Sequence, residues 1–256
     1  MKIAFYQIGV VFSAFASVIT PACANAEVSD RLPHLYLVGD STMFDRRLDK
    51  PTPGRGWGQM FKELLRDPTR ATNLAKSGRS SKSFIDEGAW AAAMGRFQPG
   101  DYVIIQFGGN DQKKEDPRRF AAPDGAFKAN MTRFVTDVRR KGAFPVLATS
   151  VVRRKFDGQG ILIDTYAGYT EVVRAIAKEQ NVPLLDMNRE TTVLLRKYGP
   201  DESKKLFMWI KPGEYELYPN GQQDDSHTSK LGAELFAAIA VSEIKAQQLP
   251  LAEWLK

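Results

Sequence analysis

The chain has 256 residues, of which 43% are hydrophobic and 26% are charged, so disordered and collagen-like classes are excluded. One cysteine and two histidines, His34 and His227, exclude a disulfide framework and nearly exclude a Cys/His metal site. The formal net charge is +6, and the length is typical of one domain.

Residues 1–26 have the composition of a secretory signal peptide. Lys2 gives a short positive start, an apolar stretch runs to about Thr20, and Ala24-Asn25-Ala26 supplies the small residues of a cleavage site. We therefore expect an exported protein, periplasmic or secreted, whose single domain covers residues 27–256. The only cysteine, Cys23, lies in the segment that would be removed.

Short apolar runs alternate with amphipathic segments along the rest of the chain. The predicted strands are Leu35–Val38, Thr72–Ala75, Asp101–Phe107, Phe144–Thr149 and Val182–Leu185. The predicted helices are Trp57–Leu65, Phe84–Met94, Phe127–Arg140, Tyr166–Gln180, Arg189–Tyr198 and Leu231–Gln248. This alternation predicts an α/β fold with a parallel sheet that is covered by helices on both faces.

Polar and glycine-containing segments follow three of the predicted strands. They are Gly39-Asp40-Ser41-Thr42, Ser77-Gly78-Arg79-Ser80 and Gly108-Gly109-Asn110-Asp111. Gly-Asp-Ser by itself is common turn chemistry. Ligands of open parallel sheets bind at the carboxyl ends of the strands, so the joint placement of three such segments favours a functional site.

A second polar segment, Asp224-Asp225-Ser226-His227, lies near the end of the chain. Residues three apart share one side of a helical turn, so Asp224 and His227 can contact each other. Thr228 and Ser229 suit a helix cap, which places His227 in a loop just before the last helix. A carboxylate on one ring nitrogen would leave the other free to act as a base toward Ser41. His34 precedes the first strand, at the opposite edge of the sheet from Ser41.

The sequence resembles the SGNH (GDSL-type) hydrolases in four ordered blocks, and within them it is most similar to the rhamnogalacturonan acetylesterases. The blocks are Gly39-Asp40-Ser41, Asn73 with Gly78, Gly108-x-Asn110-Asp111, and Asp224-x-x-His227. Further similarity includes Gly56-Trp57-Gly58-Gln59 and Asp186-x-Asn188. Many members of the family carry histidine where this chain has Gly109, which is expected to alter the groove wall beside the nucleophile.

The resemblance implies a three-layer α/β/α sandwich, with a flavodoxin-like five-stranded parallel sheet. It implies Ser41 as nucleophile, His227 as general base and then acid, and Asp224 as the residue that orients His227. It also implies an oxyanion hole built from the N–H groups of Ser41 and Gly78 and the side-chain amide of Asn110, with no metal and no cofactor. The residue chemistry agrees, because a hydroxyl needs a base and an amide donates to an oxyanion without being charged. Asp40, Asp111 and Asp225 are expected to brace loops.

The implied function is removal of O-acetyl groups from a polysaccharide by a serine esterase. Two alternatives stay open: a periplasmic lipase or thioesterase on the same scaffold, and a non-catalytic glycan-binding protein that kept the fold. Nucleotide binding has no support, because Gly54-x-Gly56-x-Gly58 is not the dinucleotide fingerprint. No nucleic acid and no stable membrane partner are expected.

Basic residues are concentrated in the loops predicted at the carboxyl edge, which are residues 42–55, 79–82, 111–120 and 153–160. These loops hold thirteen positive and six negative side chains. The positive ones are Arg46, Arg47, Lys50, Arg55, Arg79, Lys82, Lys113, Lys114, Arg118, Arg119, Arg153, Arg154 and Lys155. The excess predicts a groove for a polyanion, and acetylated pectin that contains galacturonate fits both this charge and the family resemblance.

Overall fold

Five parallel strands form the centre of the fold. The computed structural model describes residues 31–49, 51–166 and 168–256, so the predicted signal peptide and Lys50 lie outside the described residues. The strands are β1 (Leu35–Gly39), β2 (Ala71–Asn73), β3 (Tyr102–Gln106), β4 (Phe144–Ala148) and β5 (Leu184–Leu185). Their order is β2-β1-β3-β4-β5, with every neighbouring pair parallel. This is the flavodoxin-like order, and the predicted fold class is confirmed.

Helices cover both faces of this sheet. They are α1 (Trp57–Glu63), α2 (Ser81–Asp86), α3 (Ala89–Met94), α4 (Lys128–Arg140), α5 (Tyr169–Glu179), α6 (Met187–Glu202) and α7 (Lys230–Ala246). Successive side chains of a strand point to opposite faces of a sheet. Leu35 and Leu37 therefore pack with α1, α6 and α7, whereas Tyr36 and Val38 pack with α2, α3, α4 and α5.

The predicted helix over Phe84–Met94 is two helices, α2 and α3. Gly88 separates them with a φ of +75°, in the left-handed region that glycine adopts readily. The last turn of α2 closes before this glycine, because the Gly88 N–H donates to the Ile85 carbonyl. The apolar pattern continues across the break because both helices pack on the same face, which is why the pattern alone did not reveal it.

A two-stranded antiparallel sheet was not predicted from the sequence. It consists of β6 (Phe207–Ile210) and β7 (Gln222–Thr228). The sequence of β7 is Gln-Gln-Asp-Asp-Ser-His-Thr, which lacks the alternation of apolar residues that indicates a strand. Backbone pairing with β6, rather than burial of its own side chains, makes this segment a strand.

The close packing of α7 against the backbone of Leu206 can be tested at Gly232. A Cβ at Gly232 would lie 1.9 Å from the Leu206 carbonyl oxygen and 2.8 Å from its carbon, both of them backbone atoms. Gly232→Ala should therefore lower the free energy of unfolding by about 1–3 kcal/mol, measured by urea denaturation. Gly95→Ala is the matched control, because Gly95 has a right-handed helical backbone and its Cβ would come no closer than 3.5 Å to another atom. Equal stability of the two variants would contradict the close approach of α7.

Candidate active site

Ser41, His227 and Asp224 form a continuous hydrogen-bonded chain. Ser41 Oγ lies 2.9 Å from His227 Nε2, and His227 Nδ1 lies 2.7 Å from Asp224 Oδ2. Ser41 follows β1 directly, while the other two residues belong to β7, so the fold joins segments 186 residues apart. The structure therefore brings together the three residues that were predicted from the sequence to act together. The other histidine, His34, lies just before β1 and contacts Thr72 Oγ1 at 2.8 Å.

The prediction that His227 lies in a loop was wrong, because it belongs to strand β7. The pairing of β7 with β6 is interrupted there: Asp224 opposes Met208, while Thr228 opposes Phe207. Residues 225–227 thus have no backbone pairing partner on β6 and form an irregularity in the strand. Asp224 Oδ1 closes this irregularity by accepting the N–H groups of Ser226 and His227 at 2.8 and 3.0 Å. A local turn, and not a helix, therefore brings the two side chains together.

The carboxyl group of Asp224 is held in its ionised form. Burial acts to raise its pKa, but the hydrogen bond and charge of His227 and the two backbone N–H donors outweigh it and hold the pKa at about 2. Gln222 Nε2 donates to Asp224 Oδ2 as well, at 3.1 Å. An ionised acceptor on Nδ1 keeps that nitrogen protonated and leaves Nε2 available to accept the serine proton.

A chain of polar side chains braces the segment that carries Ser41. Buried Asp40 accepts the Thr42 N–H at 2.9 Å and the Thr42 hydroxyl at 2.8 Å. Thr42 Oγ1 accepts from Gln106 Nε2 at 2.6 Å, and Gln106 Oε1 accepts from Trp57 Nε1 at 2.9 Å. Burial raises the pKa of Asp40, although both bonds from Thr42 act to lower it. This role of Gln106 was not predicted, and its only signal in the sequence is a polar residue at the end of an apolar strand.

The three predicted oxyanion donors lie on segments that are hydrogen-bonded to one another. The Lys76 N–H donates to the Gly39 carbonyl at 2.9 Å, and Asn110 Nδ2 donates to the Arg79 carbonyl at 3.0 Å. Gly78 has a φ of +77°, and a Cβ there would meet no atom within 4 Å, so the space beside its Cα is open. Within the described part of the chain, the N–H groups of Ser41 and Gly78 donate to no protein acceptor.

Asp111 ties the third of these segments to α2. It accepts the N–H and hydroxyl of Ser81 at 2.9 and 2.5 Å and the Gly108 N–H at 3.1 Å. Burial raises the pKa of Asp111 to about 7, and the charge of Asp40 also acts to raise it. The three hydrogen bonds act to lower this pKa but do not outweigh burial. Asp111 thus fixes the turn that presents Asn110.

Arg153 and Tyr166 fill the space beside Gly109. A Cβ at Gly109 would lie 3.3 Å from the Tyr166 hydroxyl oxygen and 3.5 Å from the Arg153 guanidinium. Arg153 donates to the Gly109 carbonyl at 2.9 Å and lies 4.6 Å over the Tyr166 ring. Burial raises the pKa of Tyr166 to about 12, so its hydroxyl stays protonated at neutral pH. These two side chains form the wall beside Gly109.

A small cavity of about 210 Å³ opens onto His227 and Asp224, and we call it the His227 cavity. Its wall also contains Arg46 and Ser77, together with Met208 and Gln222 of the β6–β7 sheet. Thr52 also lines a larger cavity of about 630 Å³. Among the residues that the structure describes, no cluster of three or more His, Cys, Asp or Glu side chains could hold a metal ion.

The predicted excess of free positive charge around this site is reduced by ion pairs. Of the twelve cations in this set that the structure describes, six contact carboxylates, namely Arg47, Arg79, Lys82, Arg118, Arg119 and Arg154. Three of the acidic partners, Asp86, Glu87 and Asp225, lie outside the segments that were counted. A charge count by segment could not include them, because they come from elsewhere in the fold.

Comparison with known proteins identifies the family. The sequence matches the GDSL-like Lipase/Acylhydrolase family over residues 37–234. Rhamnogalacturonan acetylesterase RhgT of Bacillus subtilis (strain 168) is 41% identical over 221 residues, which cover 86% of this chain and 93% of that protein. The probable rhamnogalacturonan acetylesterase YesY of the same organism is 31% identical over 220 residues, which cover 86% of this chain and 96% of that protein.

A solved structure agrees with the fold. The crystal structure of Bacillus subtilis YxiM matches with a TM-score of 0.69 and 27% identity, over 85% of this chain and 57% of that one. The present chain therefore spans little more than half of YxiM. With a family match over most of its length and two relatives above 30% identity, the chain belongs to the GDSL-like lipase/acylhydrolase family and is a carboxylic ester hydrolase.

Proposed function

We propose that this protein is a serine esterase that removes O-acetyl groups from an acidic pectin of rhamnogalacturonan type, through an acyl-enzyme on Ser41. The observation that carries the proposal is the hydrogen-bonded chain from Ser41 through His227 to Asp224. The 41% identity to a protein named rhamnogalacturonan acetylesterase supports the substrate class.

In the first half of the reaction, His227 Nε2 accepts the proton of Ser41 while Oγ attacks the carbonyl carbon of the acetyl ester. The carbonyl oxygen becomes an oxyanion, and the N–H groups of Ser41 and Gly78 and the Asn110 amide donate to it. Donors that are already in place stabilise this charge without reorganising during the reaction. Asp224 stabilises the imidazolium that forms and holds the ring in its orientation.

In the second half, the tetrahedral intermediate collapses. The sugar oxygen leaves with the proton from His227, and the acetyl group stays on Ser41. Water then attacks the acetyl carbon while His227 accepts its proton, and the second intermediate releases acetate and returns that proton to Ser41. No step requires a metal or cofactor.

The shape of the site favours acetyl over a long acyl chain. The His227 cavity is small, and charged or polar side chains such as Arg46, Asp224 and Gln222 line it. A lipase or thioesterase needs an apolar channel for its acyl tail, which these walls do not supply. The glycan-binding alternative is disfavoured because the chain retains all of Ser41, Asn110 and His227.

We further propose that residues 1–26 are a signal peptide, that residues 27–256 form one domain, and that the enzyme acts in the periplasm or outside the cell. Within the described residues, no helix has the length and apolarity needed to cross a bilayer. Acetylated polysaccharides or their oligosaccharides are the proposed partners, with no nucleic acid and no stable membrane partner.

Ser41→Ala should abolish acetate release from acetylated rhamnogalacturonan and labelling by a phosphonate, because the attacking oxygen is lost. Ser77→Ala is a control, since Ser77 lines the His227 cavity without a hydrogen bond to His227, and it should retain turnover and labelling. A folded Ser41→Ala variant with turnover close to that of the wild type would end the serine-esterase proposal.

Asn110→Ala should lower kcat by roughly 10²–10³, the usual effect of removing one oxyanion donor. KM should change far less, because the amide interacts mainly with the transition state. Steady-state kinetics on one acetylated oligosaccharide separate the two effects. A collapse of affinity with an unchanged kcat would make Asn110 a substrate-binding residue instead.

Asp224 should contribute stability that depends on pH in a defined window. Its pKa of about 2 in the fold lies below the value of about 3.9 for an unfolded chain, so the folded state favours the ionised form. The contribution, about 2 kcal/mol, is complete above pH ~4 and is lost as the pH falls through ~2. Urea denaturation at pH 5 and pH 2.5 should show the advantage of the wild type over Asp224→Asn shrinking at the lower pH. An equal advantage at both values would contradict the low pKa.

A further inference from the structure

Arg46 places a positive charge in the wall of the His227 cavity. It is half-buried and shares that wall with Asp224 and His227. In the part of the chain that the structure describes, no carboxylate lies within ion-pair distance of its guanidinium. The carboxylate of Asp224 is already engaged by His227, Gln222 and two backbone N–H groups.

The acidic residues next to Arg46 in the sequence are engaged elsewhere. Asp45 accepts from Asn73 Nδ2 and from Lys62 Nζ, both at 2.6 Å. Asp49 pairs with Arg47, which is largely exposed. The charge of Arg46 is thus left without compensation by the segment that carries it.

The backbone of Arg46 is fixed. Its N–H donates to Gln59 Oε1 and its carbonyl accepts from Gln59 Nε2, both at 3.0 Å, and Gln59 is buried in α1. The Arg46 guanidinium carbon lies 6.0 Å from the Phe44 ring centroid. Upstream, the Trp57 N–H donates to the Thr42 carbonyl at 2.8 Å, so α1 holds this segment at two points. A fixed backbone lowers the entropy lost when the side chain binds a ligand.

From this arrangement we propose that Arg46 binds the carboxylate of a uronic acid at or next to the acetylated sugar, and thereby selects acidic over neutral polysaccharides. The proposal rests on the proposed esterase function and names the residue that determines its specificity. A guanidinium binds a carboxylate through two parallel N–H···O bonds, which gives direction as well as charge. Selectivity then comes from one cation in the cavity rather than from the summed charge of the surrounding loops.

The test compares Arg46→Gln and Arg46→Lys with Arg47→Gln, a control at the neighbouring residue whose guanidinium pairs with Asp49. Each variant is measured on acetylated rhamnogalacturonan oligosaccharides, on acetylated xylan, and on p-nitrophenyl acetate. We expect Arg46→Gln to lose roughly tenfold or more in kcat/KM on the acidic substrate, mainly through KM. Activity on the two neutral esters should stay near that of the wild type, Arg46→Lys should be intermediate, and Arg47→Gln should match the wild type.

Binding is measured separately from catalysis. Calorimetry with non-acetylated oligogalacturonate on the Ser41→Ala protein should show binding that weakens roughly tenfold when Arg46→Gln is added. Equal losses on acidic and neutral esters, an unchanged kcat/KM on the acidic substrate, or unchanged oligogalacturonate binding would each overturn the role of Arg46. Failure of the proposed function looks different, because the wild type would then cleave p-nitrophenyl acetate but release no acetate from any polysaccharide.

Discussion

The hydrogen bond between Ser41 and His227 depends on holding β7 against the carboxyl edge of the central sheet. Backbone bonds from the Arg55 N–H to Thr228 and from the Lys230 N–H to Pro53 tie the end of β7 to the segment before α1. The Trp57 N–H in turn donates to the carbonyl of Thr42, next to Ser41. These contacts make a closed path from Ser41 through α1 to His227, so the two side chains keep their separation although β1 and β7 belong to different sheets.

Buried acids stabilise the two turns that frame this site. Asp40 fixes the turn that carries Ser41, and Asp111 fixes the turn that carries Asn110. Burial raises the pKa of each, to about 7 for Asp111. Asp224 has the opposite shift, because its partner is the imidazole that becomes charged during the proposed reaction.

The charge that the loops present to solvent depends on ion pairs between side chains, and a count of charged residues does not include them. Arg154, although counted among the cations of the groove, is buried and pairs with Asp225 on β7. Its guanidinium also lies 4.7 Å over Trp209 of β6, so it stabilises the β6–β7 sheet and contributes little to the field outside the protein. Arg46 differs from it in having no acidic partner within the described residues and in facing the His227 cavity.

The sequence by itself predicted the family, the five-stranded sheet and the candidate residues of the site, because strand-end motifs such as Gly39-Asp40-Ser41 lie next to apolar runs that predict strands. The tertiary structure alone decided the strand state of β7, since its polar residues pair through the backbone with β6 and carry no apolar pattern. The tertiary structure also decided the direction in which the pKa of each buried acid is shifted and which cations form ion pairs. Those properties depend on burial and on partners that are distant in the chain, such as Arg154 and Asp225, which are 71 residues apart. The residues next to a charged side chain in the sequence predict neither its burial nor its distant partner.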